Sequence, residues 1–182
     1  MNNQDYEVFL LARSYADREE YAKAVELLEL LSRKGNRKAI FELALVYCRF
    51  QPEIHLHKAV NLFTLAGELG YPESYYYLGK IYYERKEYAE AYRFFERGKK
   101  KAESHLYLGK IALEAQVKNV SKRVAFVNFL EGSKRRVYEC DYYLAICYRF
   151  GYGIRKDDEK AEYYLKRARA HRIDDSYHLL KN

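Results

Sequence analysis

The chain has 182 residues, of which 49% are apolar and 32% charged, and this length suits one globular domain over residues 1–182. Its formal net charge of +7 is local in origin, because residues 93–136 carry twelve Lys or Arg against four acids. The opening residues 1–5 lack the parts of a signal peptide, and no apolar run reaches the roughly 20 residues that a membrane-spanning helix needs. The composition therefore excludes a disordered chain or a transmembrane segment, and we expect a cytoplasmic protein.

Two short patterns alternate along the chain at helical spacing. The first is a leucine followed by a small residue, with a tyrosine three places after the small residue. It occurs at Leu11-Ala12-Tyr15, Leu43-Ala44-Tyr47, Leu78-Gly79-Tyr82 and Leu144-Ala145-Tyr148, and without the tyrosine at Leu108-Gly109-Ala112. The second is an alanine with apolar residues three to five places on, at Ala24, Ala59, Ala91, Ala125 and Ala161. The alternation predicts repeats of two helices, A and B, in which the small residue lets B approach A closely.

In chain order, the patterns place A helices near 4–17, 37–50, 72–85, 103–116 and 138–150. They place B helices near 20–34, 55–69, 87–101, 121–135 and 158–171, and a short capping helix near 175–180. No single pair can bury its apolar face alone, so neighbouring pairs must stack. The predicted fold class is therefore all-α: an α-α superhelix, or solenoid, of about five helix-pair repeats with a C-terminal capping helix.

One stretch of the chain, residues 144–161, resembles a Sel1-like repeat. That family's A-to-B loop carries two glycines one residue apart, an aliphatic residue, an aspartate and then Lys-Ala. The matching residues are Gly151, Gly153, Ile154, Asp157, Lys160 and Ala161. The second repeat is similar at Lys58-Ala59 but lacks the loop glycines, and the first and third repeats, with short loops, look more like tetratricopeptide repeats. The resemblance covers nearly the whole chain, and it implies a fold that binds other proteins without naming a partner.

The residue patterns that support catalysis or hold cofactors are missing from the sequence. There is no phosphate-binding Walker loop and no nucleophile elbow, and the three cysteines have no paired spacing. His55 and His57 lie two residues apart with only Glu53 nearby, too few ligands for zinc. His105 stands where the repeat needs a large packing residue. We therefore predict no enzyme activity, no catalytic residue, no cofactor and no metal.

One position of the A helices, two residues before the leucine of the first pattern, is aromatic in four of the five repeats. In stacked helix pairs the A helices line the concave side, so aromatic side chains there would form a binding groove, with cations a turn or two along. The alternative is that a tightly wound stack buries these rings between neighbouring helices. The candidate groove consists of Phe9, Phe41, Tyr76, Lys80, Leu106, Lys110, Tyr142 and Arg149.

Two clusters of cations close the third and fourth B helices. Cations are favoured at helix C-termini, so a solvated rim is sufficient to explain them. The two helices are nevertheless neighbours, and the clusters would form one basic edge able to attract an acidic protein, an anionic lipid or nucleic acid. The edge consists of Lys99, Lys100, Lys101, Lys134, Arg135 and Arg136.

Together these features favour a protein–protein interaction module, a cytoplasmic adaptor or regulator whose concave groove holds a protein or peptide with acidic residues. The alternative is a sequestering inhibitor, such as the immunity protein of a bacterial toxin, because an inhibitor needs no attached domain. A nucleic-acid binder acting through the basic edge is less favoured, since no base-reading module is recognisable and the positive charge is confined to one segment.

Overall fold

The computed structural model describes residues 3–114, 117–118 and 120–173. These residues form α1 (Asn3–Asp17), α2 (Tyr21–Arg33), α3 (Arg37–Arg49), α4 (Pro52–Glu68), α5 (Glu73–Glu84), α6 (Tyr88–Arg97), α7 (Ser104–Leu113), α8 (Lys122–Lys134), α9 (Glu139–Phe150) and α10 (Asp158–Ala170). The odd-numbered helices are the predicted A helices and the even-numbered ones the B helices. The all-α class with five helix pairs is thus confirmed for the described part of the chain, which contains no strand. The capping helix expected near 175–180 lies outside the described residues.

The chain divides into two compact units, residues 1–78 and 79–182, and the division falls inside α5. The N-terminal unit contains α1 to α4 and the first part of α5. The C-terminal unit contains the rest of α5 and α6 to α10. The single domain expected over residues 1–182 stays a prediction.

Helix boundaries follow local chemistry, and they depart from the sequence prediction by three residues or more at the start of α4 and at the ends of α6 and α7. Helix α3 begins where predicted, because the side chain of Asn36 accepts hydrogen bonds from the backbone N–H groups of Lys38 and Ala39. Helix α4 begins at Pro52, three residues before the predicted start, because proline suits the first turn of a helix. Helix α6 ends at Arg97, so the cations at 99–101 lie in the turn that follows the helix.

In three consecutive repeats a phenylalanine of the B helix stacks face to face with a tyrosine of the next A helix. Each tyrosine is the residue directly before the leucine of the first pattern. The pairs and their centroid distances are Phe63–Tyr77 (5.3 Å) in the N-terminal unit, and Phe95–Tyr107 (4.7 Å) and Phe129–Tyr143 (4.8 Å) in the C-terminal unit. Their planes lie within 10° of parallel. Such pairs contribute about 0.5–1.5 kcal/mol beyond the burial of their area, so the repeats are joined by an aromatic contact at a fixed register.

The same phenylalanines explain the glycines of the first pattern. A Cβ atom at Gly79 would lie 2.7 Å from the ring of Phe95, and one at Gly109 would overlap the ring of Phe129. In the third and fourth repeats the ring of the B helix therefore lies directly on the backbone of its own A helix, where glycine leaves room. The A-helix position is alanine in the other repeats, where the B-helix position is Phe63 in the second repeat and leucine in the first and last.

The Lys-Ala pair that opens several B helices has a physical role in the repeat. Its alanine is fully buried at each occurrence. Its lysine ammonium lies over the ring of the tyrosine in the first pattern, a cation–π contact that ties the start of the B helix to the A helix. The pairs and distances to the ring centroid are Lys23–Tyr15 (5.2 Å), Lys58–Tyr47 (5.4 Å) and Lys160–Tyr148 (5.6 Å).

The Sel1-like loop between α9 and α10 is fixed by backbone constraints. Gly153 has a φ of +73°, and a side chain there would collide with the backbone of Lys122. Asp157 caps α10 by accepting the backbone N–H of Lys160 at 2.9 Å, and its own N–H donates to the carbonyl of Tyr148 at 3.0 Å. The motif residues therefore set the path of the loop rather than form a reactive site.

Two buried polar groups of the C-terminal unit are held by partners on neighbouring helices. His105 Nδ1 lies 2.9 Å from Asn128 Oδ1, which confirms the expectation that this histidine is a core residue. Asp141 accepts a hydrogen bond from the hydroxyl of Ser133 and lies 3.3 Å from the guanidinium of Arg167. Burial raises the pKa of Asp141, and the Ser133 hydrogen bond and the Arg167 charge oppose that rise.

We expect Gly109→Ala to destabilise the protein by about 1–3 kcal/mol, because the added methyl group overlaps the ring of Phe129. In an ordinary helix interior the same change stabilises by roughly 0.5–1 kcal/mol, so the sign itself is informative. Urea unfolding measures the effect. The matched control is Gly109→Ala with Phe129→Leu, which reproduces the first and last repeats and should recover part of the loss. A Gly109→Ala variant as stable as the parent would contradict the close contact.

His105 should make stability depend on pH. Burial lowers the pKa of His105 below its usual 6.5, the Asn128 hydrogen bond partly opposes this, and the charges of Arg135 and Lys99 lower it further. The folded chain then binds fewer protons than the unfolded chain, so the stability from His105 is complete above about pH 6.5 and is lost as the pH falls through the folded pKa.

We expect His105→Leu to reduce the drop in unfolding free energy between pH 7.5 and pH 5, whereas His57→Ala, at an exposed histidine, should leave that drop unchanged. NMR titration of the His105 ring gives an independent reading. A His105 pKa at or above 6.5 in the folded protein would be inconsistent with this account.

Candidate functional site

The structure buries the four aromatic residues of the candidate groove. The exposed fraction is 6% for Phe9, 5% for Phe41, 9% for Tyr76 and zero for Tyr142. A side chain with no accessible surface cannot contact a partner without rearrangement of the fold. The expectation that these rings line an open groove is therefore corrected: in this structure they are packing residues.

The physical reason for this burial is aromatic packing between consecutive helices. In the N-terminal unit, the ring of Phe41 lies 4.6 Å from Tyr71, 5.4 Å from Tyr77 and 5.7 Å from Phe63, centroid to centroid. In the C-terminal unit, Tyr142 meets Tyr143 edge to face at 5.6 Å. Phe41 on α3 thus contacts a ring of the next A helix, α5, and Tyr142 is enclosed in the core of its unit, which is the alternative that the sequence left open.

The remaining members of the candidate groove all belong to the C-terminal unit and are half-buried. Leu106 packs against the apolar core of that unit. Lys80 and Lys110 keep part of their surface. Arg149 is 3.8 Å from the carboxylate of Glu162, an ion pair that directs its charge towards α10. Of the predicted groove, Lys80 and Lys110 thus retain accessible charges that no described acid pairs with.

A cluster that the sequence analysis did not single out lies around Lys110. Its ammonium is 5.5 Å from the ring centroid of Tyr83 on α5 and 5.9 Å from that of Tyr107 on α7. Tyr83 meets Tyr107 edge to face at 5.1 Å and Tyr88 at 5.5 Å. We call these four residues the Tyr83 cluster. All four are half-buried, so the cluster presents partly exposed rings and one cation on α5, α6 and α7.

Electrostatics keep the hydroxyl of Tyr83 protonated. Burial raises the pKa of Tyr83 to about 12, and the charge of Glu114 adds to the rise. The Tyr83 hydroxyl is therefore a neutral hydrogen-bond donor throughout the physiological range. The sequence signal for the cluster was the residue next to each landmark: Tyr83 follows the patterned Tyr82, and Tyr107 precedes the patterned Leu108.

The structure brings the two cation clusters of the basic edge together. The guanidinium of Arg135 donates to the carbonyl of Lys99 at 3.0 Å, which joins the turn after α6 to the end of α8. Acids partly neutralise the edge. The ion pairs are Lys99–Glu96 (2.7 Å), Arg135–Glu131 (2.9 Å) and Lys101–Glu103 (3.9 Å). Lys100, Lys134 and Arg136 are exposed and carry the net charge of the edge.

Reactive chemistry finds little support among the described residues. No three His, Cys, Asp or Glu side chains in that part of the chain lie close enough to hold a metal ion. Burial raises the pKa of the Cys147 thiol to about 12 and raises that of Cys140 still further, so neither is a thiolate at neutral pH. His55 packs between rings, with centroids 4.9 Å from Tyr47 and 5.7 Å from Phe50.

Among the described helices, none is long and apolar enough to cross a membrane. At the sequence level, no family model and no curated protein matches the chain.

Solved structures match the chain over nearly all of its length. The protective antigen c5321 of uropathogenic Escherichia coli, which displays an SLR fold, superposes with a TM-score of 0.79 and 18% identity over 93% of this chain. A Sel1 repeat protein from Oxalobacter formigenes gives a TM-score of 0.76 and 18% identity, covering 94% of this chain and 76% of its own. YrrB, a TPR protein with an unusual peptide-binding site, superposes with a TM-score of 0.62 and 17% identity, covering 97% of this chain and 91% of its own.

The chain spans 39% of the length of the c5321 antigen. At these low identities the likeness concerns architecture. The structural match and the residue patterns agree on one conclusion, that the chain has the helix-pair repeat fold of Sel1-like and tetratricopeptide proteins.

Proposed function

We propose that the chain is a protein-binding module, without catalysis, whose partner site includes the Tyr83 cluster of the C-terminal unit. The observation that supports this proposal is the position of Lys110, whose ammonium is shared by two half-buried tyrosine rings. The site replaces the buried aromatic row as the place where a partner binds, and it keeps Lys110 from the original set.

The chemistry of the cluster suits an acidic segment next to an apolar one. No described acid forms an ion pair with Lys110, so its charge can meet a carboxylate of the partner, while the rings of Tyr83 and Tyr107 hold the ammonium in place. Partly exposed tyrosine supplies contact area and a hydroxyl donor at a low cost in side-chain entropy. A peptide or surface loop that carries Asp or Glu beside an apolar residue fits this arrangement.

The known repeat structures support a protein or peptide as the partner class. They share the architecture, and YrrB is described by its peptide-binding site. An adaptor in the cytoplasm and a sequestering inhibitor would both bind through such a site. They differ in affinity and in outcome, because an inhibitor abolishes the activity of one enzyme while an adaptor leaves its partner active.

The test begins with a photo-crosslinking amino acid placed at Glu84, which is exposed and directly follows Tyr83. In the native host, this position should give a discrete adduct with a partner protein. The matched control places the same amino acid at Val127, an exposed residue of the B helix α8. Equal adducts from both positions would indicate non-specific contact and count against the proposal.

Binding constants measured with that partner should then show the role of the cation. We expect Lys110→Ala to weaken binding about tenfold or more, because hydrogen bonds to charged groups contribute about 1.5–3 kcal/mol. Lys166→Ala, at an exposed position of α10, should leave the constant unchanged. An unchanged constant for Lys110→Ala, in a variant with the parent's melting temperature, would place the partner elsewhere.

The basic edge is proposed as an electrostatic accessory to the same binding. Reversing Lys100, Lys134 and Arg136 to Glu should slow association and reduce its dependence on salt while the fold stays intact, because exposed charges act mainly on association rates. Stopped-flow mixing at several salt concentrations measures both quantities. The control reverses three exposed cations outside the edge, Lys38, Lys86 and Lys166. If the edge variant instead lost a tight and sequence-selective complex with RNA or DNA, the nucleic-acid alternative would replace this proposal.

A further inference from the structure

The outward side of α1 is an apolar face that the described residues leave uncovered. Tyr6, Leu10 and Leu11 are each nearly half exposed. Tyr6 and Leu10, like Glu7 and Leu11, are four residues apart, so the two pairs form adjacent rows on one side of the helix. An exposed row of large apolar side chains on a helix marks a site of interaction more often than isolated exposed leucines do.

Comparison with the other repeats shows what this face of α1 corresponds to. Leu11 is the leucine of the first pattern, and its exposed fraction is 47%. The equivalent leucines of the other four A helices, Leu43, Leu78, Leu108 and Leu144, have exposed fractions of 3% or less. Leu10 likewise holds the position of the tyrosines that stack on a phenylalanine of the preceding B helix. The face of α1 is therefore the surface that receives a B helix everywhere else in the repeat.

One residue of this face, Glu7, determines which kind of helix can pack on it. Four residues before the leucine, the other A helices carry a small and fully buried residue, namely Ala39, Ser74, Ser104 and Cys140. Helix α1 carries Glu7 at that position, exposed and without an ion pair among the described residues. A helix that covers the face must meet this carboxylate, and an unpaired buried charge is costly. The occupant therefore needs a cation opposite Glu7.

The surroundings of the face are acidic as well. Asp5 and Glu20 already pair with Lys34 and Lys23, both at 2.6 Å. The remaining exposed acids are Glu7, Asp17 and Glu19, and the one exposed cation not already paired between residues 3 and 20 is Arg18. Residues 1–78 as a whole carry eleven acids and nine Lys or Arg. Complementary charge around an apolar centre favours a cationic partner.

We propose that the face of α1 formed by Tyr6, Glu7, Leu10 and Leu11 is a docking site for a basic amphipathic helix of another protein. The helix would lie on α1 as a B helix lies on the following A helix, with an apolar or aromatic residue against Leu10 and Leu11 and a Lys or Arg against Glu7. This site is independent of the Tyr83 cluster, so either can fail alone.

A helix from this chain supplies a suitable probe. The synthetic peptide of residues 121–136 contains α8, has five Lys or Arg and one Glu, and includes Phe129, which stacks on a following A helix in the fold. Titrating it into the isotope-labelled full chain, with backbone amide shifts as the readout, should perturb residues of α1. The control peptide carries Phe129→Ala and should bind at least several-fold more weakly.

Variants of the chain distinguish peptide binding at this site from non-specific binding. Leu11→Asp should weaken peptide binding at least tenfold, and Glu7→Lys should weaken it and reverse its salt dependence. Leu30→Asp, at an exposed leucine of α2, should stay within twofold of the parent. Leu11 is exposed, so its variant should keep the parent's melting temperature, and a variant that does not is replaced by Leu10→Asp.

Three results would overturn the proposal. The first is an absence of α1 shifts at millimolar peptide. The second is binding that Leu11→Asp and Glu7→Lys leave unchanged. The third is a concentration-dependent dimer in sedimentation that Leu11→Asp dissolves while the peptide fails to bind, since a second copy would then be the occupant.

Discussion

The repeats are held in register by a phenylalanine of the B helix that contacts two A helices at once. On one side the ring lies on the glycine backbone of its own A helix, as Phe95 does on Gly79. On the other side it stacks on the tyrosine of the next A helix, here Tyr107. Because both contacts are made by one rigid side chain, the spacing of a pair and the step to the next pair are fixed together. In the first, second and last repeats, a cation–π contact of the Lys-Ala pair also ties the start of the B helix to the A helix.

This close packing decides where a partner can bind. The same close packing of consecutive helices covers the aromatic position two residues before the leucine, so Phe41 and Tyr142 are core residues. Accessible aromatic surface remains where a lysine lies beside two neighbouring rings, as Lys110 does at Tyr83 and Tyr107. The same reasoning applies to α1, where Tyr6, Leu10 and Leu11 are nearly half exposed. Both proposed sites thus follow from the packing of the repeat. The Tyr83 cluster is a contact between helices that leaves its rings partly exposed, and the face of α1 is a packing surface that no described helix covers.

The sequence predicted the helices well, because its two landmarks are spaced by the repeat itself and small residues mark where helices touch. The solved structures with Sel1 and TPR architecture agree with that prediction. Exposure was harder to predict, because one sequence position can face a groove or a neighbouring helix depending on how tightly the pairs are wound. Tyr142 was misjudged for this reason. The stacked tyrosines at 77, 107 and 143 were detectable in the sequence, since each precedes the patterned leucine. The phenylalanines four residues after the alanine belong to the second pattern, but their pairing with these tyrosines is evident only in three dimensions.

A double-mutant cycle on Phe129 and Tyr143 tests the central claim most directly. Unfolding free energies of Phe129→Leu, Tyr143→Leu and the double variant give the coupling between the two rings. The stacked geometry, with centroids 4.8 Å apart, predicts a favourable coupling of about 0.5–1.5 kcal/mol. The exposed Tyr163, paired with Phe129 in a parallel cycle, should show no coupling. If the losses of unfolding free energy from Phe129→Leu and Tyr143→Leu simply added in the double variant, the account would be contradicted, because the repeats would then be joined by non-specific burial alone.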